Sequence, residues 1–132
     1  MKKKIIAILL FSVIGLSACG KPKAAYHKIS AQEAYRMMRA EEAYILLDVR
    51  TEEEYAASHI EGALLIPAYE IGRRAAAELP DKDALILVYC RSGRRSEIAA
   101  KELVAMGYTN VYDFGGIIDW PYETVNEVEN LP

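Results

Sequence analysis

Cys90 lies in the stretch VYCRSGRRSEIAA, residues 88–100, between an apolar run and three arginines, Arg91, Arg94 and Arg95. A strand ending at Cys90, a turn through Arg91-Ser92-Gly93, and a helix opening at Arg94 or Arg95 would point successive backbone N–H groups at the sulfur. Such a turn is an anion-binding nest, and a helix N-terminus adds partial positive charge. Gly93 permits the positive φ that a tight ring of amides requires. The arginines add full charges, and each contribution favours thiolate over thiol, below the free value of about 8.5. Cys90 is therefore the candidate nucleophile, and Arg91, Ser92, Gly93, Arg94 and Arg95 are the candidate cradle for an anionic substrate and leaving group. The competing reading is a cysteine packed as a small hydrophobe beneath solvated arginines. The density of arginines at a strand-to-helix junction favours the reactive thiol.

The elements around the loop read as an alternation of strands and helices. YILLDV (residues 44–49) and LILVY (85–89) are continuous runs, apolar but for Asp48, as in strands buried on both faces. Residues 63–66 form a short strand stopped by Pro67, and residues 110–114 form a last one. Ser30-Ala-Gln-Glu33 and Thr51-Glu-Glu-Glu54 have the spacing of capping boxes. The first opens a helix with Ala34, Met37 and Met38 on one face; the second opens a short helix ending near Ser58. Further helices are expected from Tyr69 to Glu78 and from Arg94 or Arg95 to Met106. The latter should turn Ile98, Ala99, Leu103 and Met106 inward and stop at Gly107. The pattern predicts an α/β domain with a mainly parallel sheet, in which ligands bind beyond the carboxyl ends of strands.

The chain of 132 residues carries a formal charge of −3 and two cysteines. Its first residues stand apart from the domain. Lys2, Lys3 and Lys4 precede an apolar run from Ile5 to Leu16, too short for a comfortable membrane span and typical of a signal peptide. The run ends Leu16-Ser17-Ala18-Cys19, which resembles the lipobox of bacterial lipoproteins, in which the cysteine is lipidated and becomes the first mature residue. Residues 1–18 are thus expected to be removed, 19–27 to form a tether, and 28–132 to form the domain. Removing those 18 of 132 residues leaves 114, and losing three lysines takes −3 to −6. An acidic mature chain argues against a nucleic-acid footprint. With Cys19 lipidated, Cys90 is the one remaining thiol, unpaired in an oxidising compartment. His27 and His59 without a second thiol make a zinc cluster unsuitable. The expected location is the extracytoplasmic face of a bacterial membrane, in the periplasm or at the cell surface.

Two chemistries use a cysteine in an anion-cradling loop. Cysteine phosphatases use Cys-x5-Arg; here the sixth position after Cys90 is Ser96, and Arg95 comes one residue early. The shorter ring suits a sulfane-sulfur centre better than a phosphoryl group. At this point the chain resembles a single-domain rhodanese, a sulfurtransferase, from about Lys28 to Glu123. The resemblance is carried by LLDVRTEEEY (46–55), HIEGALLIP (59–67), VYCRSGRRS (88–96) and GYTNVYDFGGIIDW (107–120), in that order.

The resemblance implies a five-stranded, mainly parallel sheet flanked by helices on both faces, and a six-residue active loop from Cys90 to Arg95. It implies that Cys90 takes sulfane sulfur from a donor such as thiosulfate as a persulfide and passes it to a thiol or cyanide, with no metal or organic cofactor. It casts Asp48 and Arg50 as ties between the strand end and neighbouring loops, and His59 as structural. Gly115-Gly116 is expected to permit close backbone approach, and Trp120 to pack. Ser58 and Leu65 replace the glycine and asparagine common around this motif. Two other functions remain open: a persulfide carrier or binding module that delivers sulfur to a partner protein, and a cysteine-dependent phosphatase or arsenate reductase.

Overall fold

The computed structural model describes residues 25–127. The expected signal peptide, Cys19 and most of the expected tether lie outside the described residues. Nine elements follow in order: β1 (His27–Lys28), α1 (Ala31–Ala40), β2 (Ile45–Asp48), α2 (Glu52–Ala57), β3 (Leu64–Leu65), α3 (Ile71–Glu78), β4 (Ile86–Cys90), α4 (Arg94–Ala105) and β5 (Val111–Gly116). The strands form one parallel sheet in the order β1-β5-β4-β2-β3. His27, the last residue of the expected tether, is already paired with Tyr112.

The apolar runs have the composition they do because both faces of the sheet are covered. Side chains alternate across a strand, and β4 is buried at all five positions. Ile86, Val88 and Cys90 pack with Leu47 and Val49 against Ile71 and Ala75 of α3 and Ala99, Ala100 and Leu103 of α4. Leu87 and Tyr89 pack with Leu46, Ala34, Phe114 and Trp120 on the opposite face, where α1 lies and Tyr55 of α2 joins. Each fully buried aliphatic side chain contributes about 1.5–3 kcal/mol relative to exposure. The sheet with helices on both faces is the expected one.

Local chemistry sets the helix ends. The Thr51 hydroxyl accepts the Glu54 N–H while the Glu54 carboxylate accepts the Thr51 N–H, a complete capping box. Only half of the box forms at α1: Ser30 accepts from Glu33 N–H, whereas the Glu33 side chain pairs with Arg36. Gly107, at φ +98°, ends α4. Tyr108 N–H reaches the Leu103 carbonyl and Gly107 N–H the Val104 carbonyl, the bonds of a Schellman motif.

Three expectations are corrected. Ile98 points to solvent, 53% exposed, because Ser96, Ala99, Ala100 and Leu103 already form the inward stripe of α4. The segment after Pro67 opens as a 3₁₀ helix over Ala68–Glu70, so the α-helix begins at the buried Ile71 rather than at Tyr69 and ends at Glu78 as expected. The last strand runs on to Gly116, two residues beyond the expected end, for a reason that lies in the active loop.

Candidate active site

Cys90 is the final residue of β4, and the chain turns through Arg91, Ser92 and Gly93 into α4. Gly93 takes φ +104°, left-handed backbone that a side chain would strain, and no side chain caps the helix it opens. The amides at this end of α4 are free to face the sulfur. Gly93 N–H donates to Cys90 Sγ at 3.0 Å. Cys90 is buried, and that burial alone would push the thiol pKa up. The Ser96 hydroxyl and the backbone N–H groups of Ser96, Gly93 and Ser92 outweigh it and bring the pKa below the ordinary cysteine value. The site is thus a buried sulfur that is nonetheless biased toward the anion. Its leading stabilisers are a hydroxyl and three amides rather than guanidiniums.

The floor of the loop is made by β5. Val88 pairs with Asp113, but Cys90 pairs with Gly116, so β5 contains one extra residue across this interval, a β-bulge. Gly115 absorbs it at φ +86°. A Cβ on Gly116 would lie 2.1 Å from the Arg91 carbonyl oxygen, so only glycine allows the loop to rest there. Ser96 Oγ lies 3.1 Å from the Gly93 carbonyl and 3.3 Å from that of Gly115, which fixes its place between loop and floor. The expected close approach at the glycine pair is therefore present, at Gly116.

The three arginines do different things. Arg95 forms a bidentate pair with Glu54, Nη1–Oε2 2.7 Å and Nη2–Oε1 2.8 Å, which draws Glu54 down to about 2, with burial opposing. The same carboxylate caps α2, so Arg95 ties the active loop to that helix. Arg91 and Arg94 are exposed, and neither has an ion-pair partner among the described residues. The structure thus gathers Cys90, Ser92, Gly93 and Ser96 around one sulfur and turns Arg95 toward Glu54. Ser96 and Glu54 escaped the sequence reading as site residues. Ser96 was notable there only for not being arginine, and Glu54 only as a capping residue.

The neighbouring polar residues are partnered elsewhere. Asp48 is fully buried and receives Arg50 Nη2 at 2.7 Å and its Nε at 3.1 Å; Arg50 also reaches the Ser58 carbonyl at 2.6 Å. His59 Nδ1 sits 2.8 Å from the Tyr55 carbonyl, and its ring stacks on Tyr55 at 3.7 Å. Trp120 packs against Phe114 and Tyr35. Ser58, one of the departures from the common motif, hydrogen-bonds Thr124 at 2.8 Å; Leu65, the other, ends β3.

The model of the rhodanese-like domain matches residues 30–121. The chain belongs to the rhodanese-like family. The thiosulfate sulfurtransferase PspE of Escherichia coli K12 is 44% identical over 73 residues, covering 55% of this chain and 70% of that one. The putative sulfur carrier protein YrkF of Bacillus subtilis is 37% identical over 98 residues, covering 74% of this chain; the match spans 52% of that relative, about half its length. Among solved structures, a rhodanese with anions from E. coli is 40% identical, with TM-score 0.60, covering 64% of this chain and 99% of that one. Several members of this family are thus named for moving or carrying sulfur.

Proposed function

We propose that the protein is a rhodanese-type sulfurtransferase that moves sulfane sulfur from a donor such as thiosulfate through a Cys90 persulfide to a thiol or cyanide. The observation that carries this reading is the Gly93 N–H donated at 3.0 Å to a buried Cys90 sulfur whose pKa lies below the ordinary value. The Cys90 thiolate attacks the outer sulfur of thiosulfate and forms a new S–S bond. The bond between that sulfur and the sulfonate sulfur breaks, and sulfite leaves with its electron pair. The terminal sulfur of the resulting persulfide carries the negative charge the thiolate had, so the same amides serve both states. Cyanide then attacks that terminal sulfur, giving thiocyanate and regenerating the thiolate; a thiol acceptor takes it as its own persulfide.

The exposed Arg91 and Arg94 draw the dianionic donor to the loop, and Ser92 and Gly93 hold it through backbone N–H groups. Arg95 contributes by fixing the loop to Glu54. Mass spectrometry before and after thiosulfate tests the proposal. The protein should gain one sulfur atom, thiocyanate should form on adding cyanide, and aryl phosphate hydrolysis should be negligible. Hydrolysis exceeding sulfur transfer under matched conditions would overturn it.

The similarity to a putative sulfur carrier favours a second reading, in which the persulfide is delivered to a partner protein with little free turnover. Sulfur loading without appreciable release to cyanide would select it. Location is a separate proposal, resting on LSAC at residues 16–19: Cys19 is lipidated and holds the domain at a membrane. Membrane association that survives Cys19→Ser contradicts it.

A further inference from the structure

Asp113 is fully buried in β5 and has no part in the chemistry above. It stands two residues after Val111 and so shares the face of β5 that packs toward α4. A branched aliphatic residue there would need no partner, whereas a carboxylate is costly to remove from water. Its Oδ1 accepts Gly115 N–H at 2.9 Å, and its Oδ2 has no hydrogen-bond partner among the described residues. A buried acid satisfied at one oxygen calls for an explanation, and the bond it does make supplies one.

That bond closes across the extra residue of the bulge. It holds Gly115 at φ +86°, so that three contacts with the active loop fall into place. The Gly115 carbonyl faces Ser96 Oγ. Gly115 Cα lies 3.4 Å from where a Cβ on Gly93 would be, and Gly116 sits directly beneath the Arg91 carbonyl. Ser96 and Gly93 are two of the groups that stabilise the Cys90 anion.

We propose that Asp113 is a positioning residue for sulfur transfer: by pinning the glycine bulge of β5 it holds the floor on which the Cys90 loop and the Ser96 hydroxyl are aligned. The proposal rests on the sulfurtransferase reading for its consequence in turnover, but not for its consequence at the thiol. The other charges around the loop, Arg91, Arg94 and Arg95 with Glu54 and Asp48 beside it, stay unchanged in the test.

The test compares Asp113→Asn, which keeps an acceptor oxygen at the same reach, with Asp113→Ala, which removes it. In the full chain, Cys90 alkylation by iodoacetamide is followed against pH by peptide mass spectrometry, beside thiosulfate:cyanide turnover and thermal melting. Asp113→Ala should raise the alkylation pKa by about half a unit to one unit and lower kcat/KM by about tenfold. Asp113→Asn should keep the alkylation pKa within about 0.3 unit of the parent and kcat/KM within about twofold. An unchanged alkylation profile in Asp113→Ala with a lowered melting temperature makes the residue merely structural and overturns the proposal. A lowered alkylation pKa in Asp113→Asn overturns it too, because the carboxylate would then act through its charge. Gly115→Ala provides a route independent of Asp113→Ala folding. A Cβ there meets nothing within 4 Å, so the substitution strains only the φ of the bulge. It should raise the alkylation pKa in the same direction, and no rise would overturn the proposal. If the protein transfers no sulfur at all, the alkylation arm still decides the role of Asp113.

Discussion

β2 and β4 are neighbours that end side by side, Asp48 opposite Tyr89, and each runs into a turn containing arginine. The two ends are built in opposite ways. After β2, Asp48 and Arg50 bind each other at both guanidinium and carboxylate, Arg50 spends its remaining reach on the Ser58 carbonyl, and the cation lies over the Tyr89 ring. Burial works against the Arg50 charge, and the bonds to Asp48 prevail and raise its pKa. After β4, the donors at the strand end converge instead on one polarisable sulfur that can give its electron pair away. Charges that cancel each other hold a fold together; donors aimed at a single ionisable atom leave it reactive. Glu54 and Arg95 sit at the seam, joining the helix that follows one turn to the loop that follows the other.

Substitutions on either side of this divide should separate activity from stability. The largest effect on chemistry is expected from Cys90→Ser. It should abolish the gain of sulfur from thiosulfate and all turnover, with a melting temperature close to the parent's. The largest effect on stability is expected from Arg50→Ala, which strands Asp48 as an uncompensated buried charge. Loss of a buried partner costs about 3–5 kcal/mol, readable in urea unfolding, and a loss below about 1 kcal/mol would erase the distinction drawn here.

Glu54→Gln should act on both sides at once, with a smaller loss of stability and of turnover than either. It also predicts a pH dependence. The Glu54 pKa is depressed, to about 2 in the fold against 4.5 in the free side chain, so the unfolded chain binds the proton more readily. Its contribution is fully present above about 4.5 and is lost as pH falls toward 2. The parent should lose stability through that window, and the Gln variant should show a shallower loss in acid unfolding. The smallest effects belong to the exposed Arg91 and Arg94. Each substitution by Ala should leave stability within about 0.5 kcal/mol and raise KM for thiosulfate at low salt. The difference should fade as added salt screens the charges.

Much of the architecture was legible because it depends on short-range pattern. The apolar runs at 44–49 and 85–89 mark strands covered on both faces, and the Thr51–Glu54 spacing forms the predicted box. Ends proved harder. The start of α3 is set by the burial of Ile71, and the end of β5 by a bulge whose pairing register only the assembled sheet defines. Ile98 misled because apolar type says nothing about which positions of a helix its neighbours already fill. At the site, the strand end at Cys90 and the positive φ of Gly93 were evident from one hexapeptide. The pairing of Arg95 with Glu54 could not be read, because the two lie 41 residues apart. The place of Ser96 was invisible for the same reason, since its contact with Gly115 spans 19 residues; the Asp113–Gly115 contact spans only two, but the bulge it crosses is defined by pairing with β4.

β4 is the middle strand, paired on both sides and covered on both faces. In hydrogen exchange, such a strand opens only when the whole molecule does. The Cys90 sulfur is therefore mounted on a strand expected to open last among the described residues, while the residues just after it turn outward at Arg91, Ser92 and Arg94. Admission of a donor to Cys90 is consequently a matter for that short loop, on its own timescale, and requires no breathing of the sheet behind it.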